Sequence, residues 1–144
     1  MASKLYGQFL QATLNKEIDW DSDNVKVALL SNAYTPDQDA NNYWDDVVAY
    51  EVTGTGYTTG GASLLNKTNT YNSATNTIVL DADDQTWTSS TITARYAVVY
   101  DATPATNATK PLIGYVDFGS DQSSSNGNFT ITWDATGIVR ITVA

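Results

Sequence analysis

The chain has 144 residues and contains no His, no Cys, only two Glu and seven Lys plus Arg, with a formal net charge of −9. The side chains that most often transfer protons near neutral pH, attack as thiolates or bind zinc are therefore missing, which predicts a protein that is not an enzyme and holds no cofactor. The negative charge disfavours binding to nucleic acid, and no apolar stretch approaches the roughly 20 residues that cross a bilayer.

The length predicts one domain over residues 1–144, because a chain of this size can bury roughly 70% of its unfolded surface around a single core. Such a core needs no disulfide, and the absence of Cys fits synthesis in a reducing cytoplasm. No long apolar run follows Lys4, so the sequence predicts no signal peptide.

The first predicted element is a helical segment within residues 1–18. Leu5, Phe9 and Ala12 recur at helical spacing, and the serine that precedes them is a suitable N-cap, so we expect a short helix over 3–15. Two interpretations of this helix remain open. It either lies on the sheet of its own chain or docks on a partner subunit.

An acidic turn follows the predicted helix. Asp19, Asp21 and Asp23 alternate like the first ligands of a calcium-binding loop, in which carboxylates converge on one cation. The sixth position is Asn24 where that loop requires Gly, and the twelfth is Leu30 where a bidentate Glu belongs. We therefore keep the three aspartates as weak calcium candidates and expect an ordinary turn.

Residues 25–31 alternate as a strand, and the pattern then breaks down over 32–52. This second stretch contains Pro36 and four Asp, so it predicts a long irregular loop with one helical turn near 42–47. We expect the loop to contribute little to the core, and loops of this length are commonly functional.

Aromatic and large apolar side chains in the helix and the loop are candidates for contact with a partner, because no core is expected to demand them there. The candidates are Leu5, Tyr6, Phe9, Tyr34, Tyr43 and Trp44.

The remainder of the chain reads as β-strands separated by turns rich in Gly, Asn and Asp. Even spacing of this kind is typical of an antiparallel sandwich, so we predict a mainly β, jelly-roll-like or Ig-like fold with a short N-terminal α-helix. The predicted strands cover 63–71, 77–82, 91–101, 112–119, 128–133 and 138–143, with turns at 72–76, 121–127 and 134–137.

The strand over 91–101 is the most apolar and is placed in the centre of its sheet. Arg95 would then need a carboxylate partner, for which Asp117 and Asp101 are the candidates. Between the loop and these strands, the glycines at 54, 56, 60 and 61 permit positive φ or close approach of another backbone.

A second acidic cluster contains Asp81 and Asp83, which could form the carboxylate pair of a glycosidase with Trp87 nearby. A solvated turn is the favoured interpretation, because nothing in the sequence fixes the separation of the two carboxyl groups. No motif supports a nucleophilic site either, since the chain has no His to pair with its many Ser and Thr residues.

Three stretches of the sequence carry a resemblance to known proteins. KLYGQFLQATLNKEIDWDSDNVKVALLSNAYTPDQD, EVTGTGYTTGGA and ITARYAVVYD…KPLIGYVDFGSDQSSSNGNFTITWDATGI are similar to small structural proteins encoded by tailed bacteriophages. The resemblance covers nearly the whole chain. It implies a place in the virion after synthesis in the host bacterial cytoplasm, and no catalytic residues.

On this basis we expect a capsid decoration or cement protein that bridges and stabilises neighbouring capsomers. Its partners would be the major capsid protein or other virion proteins, and it would associate with itself, with a trimer favoured. Two alternatives stay open. One is a tail, neck or fibre subunit, and the other is a carbohydrate-binding adhesin module in which Trp87, Trp44 or exposed tyrosines stack on sugars.

Overall fold

The structure, a computed structural model, describes residues 2–143 and confirms a mainly β, sandwich-like fold with one short helix near the N-terminus. The strands are all paired antiparallel. In chain order the elements are β1 Ala2–Leu5, α1 Phe9–Leu14, β2 Val25–Leu30, β3 Ala62–Ser63, β4 Thr68–Asn72, β5 Thr77–Asp81, β6 Gln85–Asp101, β7 Leu112–Ile131 and β8 Val139–Thr142.

Two sheets form the body of the molecule. The larger sheet has the strand order β1-β7-β6-β2-β3, and the smaller has the order β4-β5-β8. The main core lies between them, where Val27 and Leu29 of β2 join Leu80 of β5 and Val139 of β8 in one cluster. None of these four side chains is more than 6% exposed. Their burial is the main source of stability of such a fold.

A second core covers the opposite face of the larger sheet. Ala28 and Leu30 of β2 point away from the main core and contact the stretch between β2 and β3, which contributes Tyr34, Trp44 and Val47. The stretch contains the expected helical turn, a 3₁₀ turn at Trp44–Asp46. The expectation that it adds little to the core is wrong, because its apolar side chains cover a sheet face that would otherwise meet water.

The N-terminal segment departs from the predicted helix over 3–15. Residues 2–5 form a strand that pairs with β7, and the helix begins only at Phe9, with Gln8 as its N-cap in place of the predicted serine. Pairing with β7 satisfies the backbone hydrogen-bonding groups of this segment. The helical spacing of its apolar residues gives no sign of this distant partner. Phe9 and Ala12 are buried in the main core, so the helix lies on its own chain.

β6 and β7 form a hairpin much longer than predicted. β7 is one strand from Leu112 to Ile131, although the sequence predicted two strands separated by a turn at 121–127. The polar stretch remains in the ladder because the register shifts along it, and Gly119 and Asn126 adopt positive φ at these irregularities. The predicted strand over 63–71 is instead divided into β3 and β4, whereas the turn at 72–76 is confirmed as the β4–β5 hairpin.

The central position of β6 is confirmed, since it pairs with β2 on one side and β7 on the other. Nε of Arg95 donates a hydrogen bond to Oδ1 of Asp117 at 2.8 Å, so Asp117 is the partner among the two predicted candidates. The guanidinium holds the pKa of that carboxyl below its usual range. Both side chains remain about 30% exposed, so the pair fixes the local geometry and contributes little to stability.

Candidate functional site

Most of the predicted partner-contact side chains lie inside the protein. Tyr6, Phe9, Tyr34 and Trp44 are each 2–3% exposed. This corrects the expectation that they face a partner, because the two cores demand them after all. Leu5 is partly buried against the main core and lines the cleft described below, where a partner could reach it.

The buried tyrosines form a hydrogen-bonded group within the second core. The hydroxyl oxygens of Tyr6 and Tyr34 are 2.8 Å apart, and the Tyr34 hydroxyl donates to Oδ1 of Asn41 at 2.8 Å. Burial raises the pKa of Tyr34 to about 12 and raises the pKa of Tyr6 further. Both phenols therefore stay neutral and act as structural links. Tyr43 lies apart from this group, partly exposed, with its hydroxyl donating to Oε2 of Glu17 at 3.2 Å.

Two of the three calcium candidates, Asp19 and Asp23, accept hydrogen bonds from the backbone of their own turn. Oδ1 of Asp19 accepts hydrogen bonds from the amides of Asp21 and Ser22, and Oδ2 of Asp23 accepts one from the amide of Asp19 at 2.6 Å. The bonds from Ser22 lower the pKa of Asp19. Within residues 2–143, no group of three or more carboxylates is placed to hold a metal ion. The arrangement is that of an Asp-rich turn.

The second acidic cluster ties segments of the chain together. Oδ2 of Asp83 accepts a hydrogen bond from Asn66 at 2.6 Å, and Oδ1 of Asp84 accepts one from the amide of Trp133 at 2.9 Å. Trp87, which would have lined a sugar-binding cleft, is only 6% exposed. With Trp44 also buried, the two tryptophans proposed as stacking platforms are inside the protein, and Tyr71, 58% exposed, is the aromatic side chain most open to a sugar.

Asp101, which is 1% exposed, is the most deeply buried carboxylate of the described side chains. Its Oδ1 accepts a hydrogen bond from the amide of Thr103 at 2.8 Å. Burial raises the pKa of Asp101, and the nearby carboxylate of Asp23 raises it further. The pKa of Asp101 in the folded state therefore lies above its unfolded value of about 3.9. Because the folded state binds the proton more tightly, the protonated carboxyl adds to the free energy of unfolding. This contribution is complete below about pH 3.9 and is lost as the pH rises through the folded-state pKa.

Asp101→Asn is therefore expected to raise the free energy of unfolding at neutral pH. The wild type should become more stable as the pH falls toward about 4, and the variant should show a smaller increase in the free energy of unfolding over the same range. The amide oxygen can still accept the bond from Thr103, while the buried charge is removed. Urea unfolding across this pH range measures the effect. Asp45→Asn removes one charge from an exposed site and is the control. A variant less stable than the wild type at neutral pH would contradict the assignment.

An open cleft lies between the two sheets. It lies where β1, an edge strand of the larger sheet, faces β8, an edge strand of the smaller one, and its volume is about 370 Å³. Apolar side chains line both walls, and the deepest of them belong to the main core. The principal ones are Leu5, Val116, Ile131, Trp133, Ile138 and Val139. The volume exceeds twice that of a cavity of about 150 Å³ that binds benzene, so it can hold two large apolar side chains.

Backbone groups of β1 are available at this cleft. The amide of Tyr6 donates a hydrogen bond to the carbonyl oxygen of Ile113 at 3.1 Å. In the alternation of an antiparallel pair, the backbone N–H and C=O groups of Tyr6 and Lys4 therefore point toward β7, and those of Ser3 and Leu5 point away from it. The outward carbonyl of Leu5 accepts a bond from the Gln38 side chain at 2.6 Å, which agrees with this alternation. The amide and carbonyl of Ser3 and the amide of Leu5 remain for a further strand.

Charged residues of the bordering segments lie around the cleft rather than inside it. Lys4 and Arg140 belong to the strands that border it, but the Lys4 side chain shares a face with Tyr6 and Tyr115 of the second core, and the Arg140 side chain lies on the face opposite Val139. Asp134 is the acidic residue of the lining, and its Oδ1 already accepts bonds from the amide and hydroxyl of Thr136 at 2.8 and 2.6 Å. These bonds lower the pKa of Asp134. Arg140 donates from Nη1 to Oγ1 of Thr136 at 3.4 Å, so it belongs to the same group as Asp134.

Sequence reasoning missed this cleft. It placed Lys4 and Leu5 in a helix, and so could not see that β1 and β8 leave one side of the sandwich open.

No known protein family, curated protein or solved structure matches this chain. Within residues 2–143, no helix is long and apolar enough to span a membrane.

Proposed function

We propose that the protein is a non-enzymatic structural component of a tailed-bacteriophage virion that works by binding other protein subunits. Its most specific form is a head decoration or cement protein that bridges neighbouring capsomers. The open cleft between β1 and β8 is the observation that carries the proposal, because an apolar groove flanked by two strand edges suits a protein segment. The resemblance of the sequence to phage structural proteins supplies the virion context.

The acidic surface also supports a role outside a shell. Nine of the sixteen Asp and Glu residues lie within residues 17–51, and Asp37, Asp39, Asp45 and Asp46 of the stretch after β2 are all exposed. A like-charged outer layer keeps particles apart in solution. Association with the major capsid protein would stabilise the assembled shell by mass action, by about 2.7 kcal/mol per site at a hundredfold excess over the dissociation constant.

The proposal predicts that the purified protein binds assembled capsid shells and raises the temperature at which they break open. Co-sedimentation with shells and thermal disruption followed by light scattering measure the two effects. The control is unassembled capsid protein, which lacks the composite surfaces of the shell. Cryo-electron microscopy of virions that placed this chain only in the tail, neck or fibres would replace the decoration role by that alternative.

Self-association belongs to the same proposal. A trimer would match the local threefold positions of a capsid lattice. Light scattering coupled to size-exclusion chromatography tests it directly, and a monomer at all concentrations would remove the trimer while leaving binding to shells open to its own test.

A further inference from the structure

We infer that a small polar pocket beside α1 binds one neutral sugar unit of a glycan. The pocket lies between one face of α1, the stretch that precedes the 3₁₀ turn and the start of β7, and its volume is about 190 Å³. It shares no lining residue with the cleft between β1 and β8. The inference does not rest on the proposed function.

One wall of the pocket is a row of amide side chains on α1 and its caps. Gln8, Gln11 and Asn15 are spaced three and four residues apart, so they share one face of the helix. All three are exposed, whereas Ala12 on the same face is small and buried, which leaves room between the longer side chains. The wall therefore offers carbonyl acceptors and N–H donors close together.

The opposite wall is fixed to the larger sheet. The amide of Leu112 in β7 donates to the carbonyl of Asn42 at 2.9 Å, and the amides of Asn42 and Tyr43 donate to Oδ2 of Asp46 at 2.7 and 3.1 Å. The Tyr43 hydroxyl donates to Oε2 of Glu17, which joins this wall to the residues after α1. Because these bonds hold the pocket open and ordered, binding costs less conformational entropy.

One acceptor of the lining residues has no partner. Oδ1 of Asn42 is buried and makes no hydrogen bond within the described residues. Buried polar atoms of native proteins nearly always have a partner, and an unpaired one costs free energy. A hydroxyl group that enters from a ligand would supply the donor that this oxygen needs.

The lining selects a neutral ligand with several hydroxyl groups. Its accessible atoms are mainly polar, so an apolar ligand would bury little apolar surface, and Glu17 repels an anion. A calcium ion takes about six to eight oxygen ligands, of which the lining supplies one carboxylate. A sugar hydroxyl both donates and accepts, as the amide side chains do.

The volume limits the size of that ligand. A cavity of about 150 Å³ holds one benzene ring. At about 190 Å³, the pocket therefore has room for one six-membered sugar ring, and the rest of a glycan would extend into solvent.

The test follows the side-chain amide signals of Asn and Gln in heteronuclear NMR spectra. The probes are the methyl glycosides of glucose, galactose and N-acetylglucosamine, and methyl glucuronide is the matched anion of the glucose derivative. At least one neutral glycoside is expected to shift the signals of Gln8, Gln11 and Asn15 with a dissociation constant on the order of 1–10 mM. The glucuronide is expected to bind roughly tenfold more weakly than the glucoside.

Two variants and a control make the test specific. Gln11→Ala is expected to weaken binding roughly fivefold through loss of a hydrogen bond, and the helix is retained because Ala is the better helix former. Gln122→Ala, at an exposed position of β7 away from the pocket, is expected to leave binding unchanged. Glu17→Gln keeps the shape of the side chain and removes its charge, so the preference for the glucoside over the glucuronide is expected to disappear.

The inference is overturned if no neutral glycoside shifts these signals at about 100 mM, or if Gln11→Ala and Gln122→Ala have equal effects. A preference for the glucoside that survives Glu17→Gln would also count against it. Calcium chloride that shifts the same signals below about 1 mM, with no response to any sugar, would make the pocket a cation site and overturn the inference. Binding to shells tests the proposed function without using this pocket, so either can fail without the other.

Discussion

Gly61→Ala is expected to lower the free energy of unfolding by about 3–5 kcal/mol. A methyl group at this position would stand 2.0 Å from the carbonyl oxygen of Val27 and 2.7 Å from Cα of Ala28, both backbone atoms of β2. The backbone φ of Gly61 is also +74°, a conformation that costs other residues about 1–2 kcal/mol. β2 is buried on both faces, so it has no room to retreat.

Urea unfolding followed by Trp fluorescence measures the change, and the chain offers a matched control. Gly119 has φ +82°, but an added methyl group there would meet nothing within 4 Å. Gly119→Ala therefore carries the cost of the conformation alone, about 1–2 kcal/mol. The difference between the two variants isolates the steric term at β2. Equal destabilisation of the two would show that close approach to β2 is unimportant.

The same glycine shows what could be predicted from the sequence. Clustered glycines after the irregular stretch indicated positive φ or close approach of another backbone, and Gly61 shows both, with φ +74° and its position against β2. The residue pattern over 25–31 and 77–82 predicted two strands whose ends agree with those of β2 and β5 to within one residue. The pattern was readable because each strand presents an apolar face to the main core. Arg95 and its partner Asp117 followed from the cost of an unpaired charge in a central strand.

Pairing between distant segments was not visible in the same way. Residues 2–5 are held by β7, more than a hundred positions away along the chain, and their local spacing favoured a helix. The polar stretch at 121–127 has the composition of a turn, yet the ladder with β6 keeps it extended. In both cases the tertiary partner overrides local preference.

The second core could have been suspected from β2. Ala28 and Leu30 are apolar, as are Val27 and Leu29 between and beside them, and a strand that is apolar on both faces must be covered on both faces. The sequence did not show that the covering stretch is 32–52, since irregular backbone has no period to recognise. The cleft escaped prediction for the related reason that it depends on which strand edges remain open.

Trp44→Ala is expected to cost about 3–5 kcal/mol of unfolding free energy, because it deletes a large side chain that is 3% exposed. The indole stacks on the ring of Tyr100, with the ring centres 4.2 Å apart and the planes 8° from parallel. Its loss leaves a cavity between the irregular stretch and the larger sheet. Chemical denaturation measures the total change, and Tyr50→Ala, at a 37% exposed ring, is expected to cost about 1 kcal/mol or less.

Hydrogen exchange distinguishes the second core from the main one in the same variant. The backbone before Trp44 is tied to the larger sheet, because the amide of Leu112 in β7 donates a hydrogen bond to the carbonyl of Asn42 at 2.9 Å, so the stretch should loosen without detaching. Exchange is expected to accelerate over 33–50 while β5 and β8, which contact only the main core, keep their protection. Equal loss of protection in all strands would mean that the two clusters unfold as one unit, and would reduce the irregular stretch to a part of the main core.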